Sequence, residues 1–450
     1  MLSNKYFDKD NSLSKIGEAS IERNFSGIYY ENEKKTSIEI VKKFYNKIYS
    51  ECNISKSYKI VKRIKENRED KFSRYLLLIS KSSESCYLLS SILEDGNYIF
   101  FVGSQFNEDI KSEEYQLKII NKIKIYMEEG GTIILKDLES VYPALYELFN
   151  QNFTVMCHKN FTRISIGSTL NIFTYVNENF KCIVNVDIDK IDNQEAPFLN
   201  RFEKHIITYE NLLNEELIYK SKEIEQTINN IISFAENNKI INYNYKKLLI
   251  NCELEEIQGI IYNSQIKRKD SNDLLEEIFK KISPIFPQDI IIPLIYNKDF
   301  EYKKIIFKYY KEDDHTNLSN YLKNINYKKH VIYTFSKIFD EIKDVCGVEN
   351  EKLHFTIKDE TNIKIIKIAS IQSENELERN LDDYFNEESY SICLIQFTPK
   401  ECNLINYIKF FIENKEKELK NNSKIFVFIV HMMRIFKDDN LEIIKKKKYK

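Results

Sequence analysis

The sequence predicts an α/β fold class: tandem modules, each a parallel sheet covered by helices, with helical subdomains between and beside them. Three observations carry this. Short apolar runs without in–out alternation, at Tyr75-Leu-Leu-Leu-Ile79, Tyr98-Ile-Phe-Phe-Val102, Thr132-Ile-Ile-Leu135 and Cys182 to Val186, read as strands buried on both faces. Helical stretches separate them, at Glu84 to Leu93, Glu113 to Met127 and Val141 to Phe149, and alternating strand and helix makes a parallel sheet. The same succession returns downstream, in His330-Val-Ile-Tyr-Thr-Phe335, Ile363 to Ile371, Ser391-Ile-Cys-Leu-Ile-Gln-Phe397 and Lys424-Ile-Phe-Val-Phe-Ile-Val430, with helices at Ser373 to Phe385 and Glu401 to Leu419. Tyr75, Val102, Ile134 and Val184 are therefore expected in one sheet.

In chain order, residues 12–69 are polar and helical in pattern, with Ile38, Val41, Phe44 and Ile48 on one face, and predict helices without a sheet. Residues 1–70 thus form a helical tail and residues 71–210 the first αβ core, closed by a strand from His205 to Tyr209. Residues 211–325 form a helical lid and linker: a helix from Asn211 to Glu236, then a mixed segment marked by Pro284, Pro287 and Pro293. Residues 326–450 form the second, incomplete core.

Composition sets outer bounds. At 450 residues, with 42% apolar and 30% charged residues, the chain is long enough for several folding units. A net charge of −2 gives no global attraction for nucleic acid or membrane, so neither is expected as a partner and recognition must be local. The eight cysteines are scattered without a C-x-x-C pair or a histidine at ligand spacing, which predicts no metal. The polar N-terminus and the absence of a membrane-length apolar run predict a reducing, cytoplasmic location.

The motifs point away from catalysis. A nucleotide hydrolase needs a glycine-rich loop after its first strand to wrap the phosphates, and here that place holds Ser80-Lys-Ser-Ser-Glu-Ser85; the second core offers Ser336-Lys-Ile-Phe339. Neither contains glycine. No catalytic residue and no bound cofactor are expected, and ATP should bind weakly or not at all. The third strand should end in acids that hold Mg²⁺, yet Lys136 stands beside a single acid, Asp137, a weak Walker B-like candidate whose plainer reading is a cap on the helix near Val141. Asn185 is a weak sensor-like candidate, its plainer reading an asparagine turned outward at a strand end. His158 and His205 read as ordinary surface or strand residues.

The informative stretch is Pro197-Phe-Leu-Asn-Arg-Phe-Glu-Lys-His205, a short loop entering a strand. Many AAA+ modules present a residue this way where one module meets the next, and Arg201 is an arginine-finger or interface candidate, flanked by Asn200 and Glu203, because its guanidinium is always charged and forks toward phosphate oxygens. The plainer reading pairs Arg201 with Glu203. Arg201 is expected exposed, with Phe202 turned inward.

Several blocks in order, Arg74-Tyr-Leu-Leu-Leu-Ile79, Phe101-Val-Gly-Ser-Gln-Phe106, Gly131 to Tyr146, Leu199 to His205, Leu249-Ile-Asn-Cys252, Ile365 to Ser370, Ile392 to Phe397 and Lys424 to Ile429, resemble the mysterin family. These are giant dynein-like AAA+ proteins acting as E3 ubiquitin ligases of the RING/RZ-finger type. The resemblance implies P-loop NTPase-type modules with a degenerate P-loop, placed after the hydrolysing pair in a ring of six units, with residues 1–70 as the tail of a preceding unit. It implies ATP and Mg²⁺ in the parent ring rather than here, and as partners the neighbouring AAA units and, through the parent, the ubiquitin machinery. The chain then reads as a fragment, a truncated gene product or a decayed copy of such a ligase. The alternative is a stand-alone αβ scaffold or binding protein that kept the fold and lost the motor; a downstream reading frame with a RING-type cysteine cluster would favour the first.

Overall fold

Five strands lie side by side in the first half of the chain and form a fully parallel sheet, four of them apolar runs and the fifth, Glu203-Lys-His-Ile-Ile207, at one edge. They are β3 (Leu76–Ser80), β4 (Tyr98–Val102), β5 (Thr132–Lys136), β9 (Lys181–Asp187) and β10 (Glu203–Ile207), in the spatial order β10-β3-β9-β5-β4. A computed structural model describes residues 60–81, 97–166, 170–237, 254–267, 329–341, 363–387, 390–419 and 424–431, except for isolated positions within them, together with short stretches at 20–24, 29–30, 35–36, 41–43, 88–93 and single residues beyond. The expected Pro-marked segment, most of the helix at residues 84–93 and the serine-rich loop after Lys81 lie outside the described residues.

The sheet contains the segments of Tyr75, Val102, Ile134 and Val184, as the pattern of apolar runs requires, with Tyr75 just ahead of β3. The central strands β3 and β5 carry no alternation because both faces are covered, and all five residues of each are buried, whereas the edge strand β10 alternates buried and half-buried residues. The helix Glu113–Glu129 starts where Ser112 accepts the amide of Tyr115 and stops at Gly130, whose φ of 90° gives a left-handed cap. Its Tyr115, Ile119, Ile120, Ile123 and Met127 join β3, β4, β5 and β9 in one core.

Three local expectations are corrected. The N-terminal region contains a two-residue antiparallel pair, β1 (Tyr29–Tyr30) with β2 (Lys35–Thr36), where helices alone were expected. The helix expected from Val141 to Phe149 is a 3-10 turn, Tyr142–Leu145, with Pro143 in its first turn, running into one α turn, Tyr146–Phe149. Between that turn and β9 the chain inserts an antiparallel sheet, β6 (Thr154–Met156), β7 (Lys159–Ile166) and β8 (Leu170–Val176), which the sequence reading did not anticipate.

The chain forms two compact units, Met1–Asn214 and Glu215–Lys450. In the second, helix Glu215–Asn237 packs on helix Leu254–Lys267. Its sheet is also parallel, built from β11 (Lys329–Thr334), β12 (Ile363–Lys367), β13 (Ile392–Phe397) and β14 (Ile425–His431) in the order β11-β14-β13-β12. The strand expected to run to Ile371 stops at Lys367 and turns through a 3-10 segment, Ile368–Ser370, before helix Glu374–Asn386, capped by Ser373. Helix Leu404–Leu419 leads into β14. Numbered by appearance, both sheets run first, fourth, third, second; the first unit adds a fifth strand beside the first.

Candidate functional site

In such a sheet the connection after β3 runs to one side and the connection after β9 to the other, so the carboxyl ends of these strands form the switch point where open α/β sheets bind ligands. Parallel register brings four side chains together there. Lys136, the last residue of β5, is opposite Asn185, and Ser80, the last of β3, is opposite Asp187. The Lys136 ammonium, 5% exposed, lies 2.5 Å from Asp187 Oδ1 and 3.2 Å from Asn185 Oδ1. Asn185 donates from Nδ2 to the Leu78 carbonyl at 3.3 Å and to Ser80 Oγ at 3.2 Å. A hydrolase places phosphate and Mg²⁺ at this point; here an internal ammonium and carboxylate face each other.

Asn185 is therefore buried and bonded inward, not turned out to solvent as its position at a strand end suggested. Asp137 does not cap a helix. It adopts a left-handed φ of 53° just beyond β5 and binds Lys190 at 2.5 Å. Burial opposes the charge on Lys190, but the hydrogen bond to Asp137 and the nearby Asp187 outweigh it, so its pKa is raised. Asp137 is thus committed to a lysine in the arrangement seen.

The second unit repeats the device with neutral groups. Gln396 of β13 is opposite Ile429, and Thr334, ending β11, is opposite His431, so by register Gln396 stands where Lys136 does and His431 where Asp187 does. The two touch again: His431 Nε2 lies 2.7 Å from Gln396 Oε1. The same oxygen accepts the Phe339 amide at 2.8 Å, while Gln396 Nε2 donates to the Phe339 carbonyl at 2.9 Å. The Ser336-to-Phe339 segment thus closes over the end of the sheet. Burial lowers the His431 pKa, against the contrary pull of its bond to the Ser336 backbone.

Arg201 lies at the opposite end of the first sheet. Glu203, which opens β10, is in register with Leu76 at the start of β3, so the loop before it sits at the amino ends, a strand length from Lys136. Phe198 and Phe202 are buried and anchor the loop: Phe198 stacks on Tyr142 at 5.1 Å, and Phe202 packs against Phe198 at 5.2 Å and Phe149 at 5.0 Å. Phe202 thus turns inward as expected.

Arg201 itself is half-buried, which corrects the expectation of an exposed side chain. Its guanidinium lies over the Tyr146 ring at 4.2 Å and donates to the Pro197 carbonyl, while its Nε is buried without a hydrogen-bond partner among the described residues. Nor does it pair with Glu203. That carboxylate is buried and receives Asn67 Nδ2 at 2.9 Å, with His205 at 2.9 Å and Arg23 at 3.3 Å. Asn200 is exposed, and its carbonyl accepts from Arg74 at 3.1 Å.

Sequence reasoning missed Lys136, Asp187, Gln396 and His431 as a set. The available signal was a lysine in place of the acid that should close a third strand. Among the described residues no group of three or more His, Cys, Asp and Glu side chains could hold a metal ion, and no helix is long and apolar enough to cross a membrane.

Fold and sheet order define a AAA+-like α/β module. Residues 65–213, covering the first sheet, match the family described as the RNF213 AAA domain. The chain is 26% identical over 218 residues to the E3 ubiquitin-protein ligase RNF213 of Mus musculus, covering 47% of this chain and 4% of that protein. It is 28% identical over 227 residues to its Homo sapiens counterpart, covering 48% and 4%. An uncharacterised transmembrane protein of Dictyostelium discoideum is 29% identical over 206 residues, covering 42% and 3%. The resemblance to the mysterin family read from the residues holds over this region, and the chain spans a few hundredths of the length of these relatives.

Proposed function

We propose that this chain is a non-hydrolysing AAA+ segment of a mysterin-type ubiquitin ligase, a packing part of a six-unit ring whose ATP turnover takes place in other units. The single observation that carries this reading is the Lys136–Asp187 pair at the switch point. A lysine at the end of the third strand repels Mg²⁺ where an acid should attract it, and Asp187, the acid within reach, is neutralised by that lysine. Gln396 and His431 at the matching positions of the second sheet support the same reading for both modules. Ubiquitin transfer and its substrates belong, on this proposal, to the parent protein.

Calorimetric titration of the chain with ATP and Mg²⁺ tests it. No heat of binding is expected at micromolar ATP, and saturable binding in that range overturns the reading and reopens Asp137 as a metal ligand.

A further inference from the structure

The inserted sheet β6-β7-β8 differs in chemistry from the rest of the chain. Asp and Glu make up 69 of 450 residues, yet between Glu147 and Glu178 there is none, while His158, Lys159 and Arg163 all fall there. One face of the sheet is spent on the core: Thr162, Ile164, Thr174 and Val176 are buried. Strand alternation therefore sends Phe161, Arg163, Phe173 and Tyr175 to the other face, with Lys159 two residues before Phe161. Phe173 is 56% exposed. Phe161 and Tyr175 are cross-strand partners 5.8 Å apart, and the Lys159 ammonium sits 5.2 Å from the Tyr175 ring.

We propose that this face is a stacking platform for single-stranded nucleic acid. Aromatic rings on an open antiparallel sheet accept unstacked bases by their π-faces, without regard to sequence, and cations between the rings take the backbone phosphates. Phe173 and Tyr175, two residues apart on one strand, hold two such rings on one line. Lys159 and Arg163 flank them. Arg163 already meets Glu147 at 3.3 Å, but both groups are substantially exposed, and a surface pair of that kind competes weakly with a phosphate while leaving other guanidinium donors available. The absence of any acid on the insert is what favours a polyanion over an ordinary protein surface. A duplex keeps its bases stacked and offers these rings nothing. The chain's net charge of −2 is no obstacle, because the contact is local.

Fluorescence anisotropy of the full chain with a labelled oligouridylate about 12 nucleotides long tests the proposal. Binding is expected at about 50 mM salt, weakening as salt rises to about 200 mM. The variant Phe161→Ala/Phe173→Ala should bind about tenfold or more weakly. Lys159→Ala should make the log–log salt slope shallower by about one. Phe173→Tyr keeps the ring and should retain binding, and Tyr219→Ala, on an exposed ring of the other unit, should change nothing. Circular dichroism identical to the parent chain shows that a variant is folded. Absence of binding at low salt overturns the proposal, as does equal affinity for a duplex, full affinity in the folded double-alanine variant, or equal loss in Tyr219→Ala. Polyglutamate bound as tightly as the oligonucleotide overturns it too and assigns the face to an acidic protein.

Discussion

Lys136 shows how much one buried side chain decides in this protein. Its partner Asp187 is 25% exposed and has Lys190 at 3.9 Å as a second cation. Lys136→Met keeps the length of the stem and removes the charge, leaving the carboxylate partly compensated. The expected loss is about 3 kcal/mol, the lower part of the range for breaking a buried pair. Adding Asp187→Leu should recover most of it, because the desolvated charge goes too. Urea unfolding followed by circular dichroism measures both, the chain having no tryptophan. Gly103 is the second such position. It donates its amide to the Lys136 carbonyl at 2.8 Å, and a Cβ there would come to 1.7 Å from the carbonyl oxygen of Asp137. Gly103→Ala must push β4 off the end of β5, at a cost of about 3 kcal/mol or more in the same measurement.

The elements were legible where they announce themselves locally. β3, β4, β5 and β9 appear as apolar runs, and helix Glu113–Glu129 carries both its serine cap and its terminal glycine. The inserted sheet does not. Its first hairpin turns through Cys157 and His158, both at positive φ, 49° and 61°, where two-residue turns favour Asn-Gly, so the turn signal is missing from the sequence. On β14, His431 makes a pH prediction. Burial depresses its pKa, so the folded unit binds the proton less readily than the unfolded chain. The stability it contributes is complete above the unfolded value of about 6.5 and is lost as pH falls through the lower folded value. The stability difference between the parent chain and His431→Gln should therefore shrink on acidification from about pH 7.5 to about pH 5; a difference that stays constant or grows would show that His431 is not held neutral.

Across the molecule, two sheets of one strand order carry a polar pair at the same register, ionic in the first unit and neutral in the second. Arg201 lies away from the first of these, at the amino ends of the strands. Its stacking on Tyr146 and its bond to Pro197 hold it against its own loop. On the proposed ring reading, Arg201→Ala in the parent ligase is expected to leave ATP turnover in place and to weaken ring assembly by about 1–3 kcal/mol. A loss of turnover of about 10³ with the ring still assembled would instead make it a catalytic finger.

What the sequence alone determined is the succession of the parallel strands and of the capped helices between them, because burial on two faces and capping are written in residues a few positions apart. It also marked the loop from Pro197 to His205, whose phenylalanines at positions 198 and 202 recur at helical spacing. Only the tertiary structure decided which strands are neighbours. Parallel pairing joins residues far apart in the chain, and so it is register, not local pattern, that sets Lys136 against Asp187 across 51 positions at the carboxyl ends of the strands.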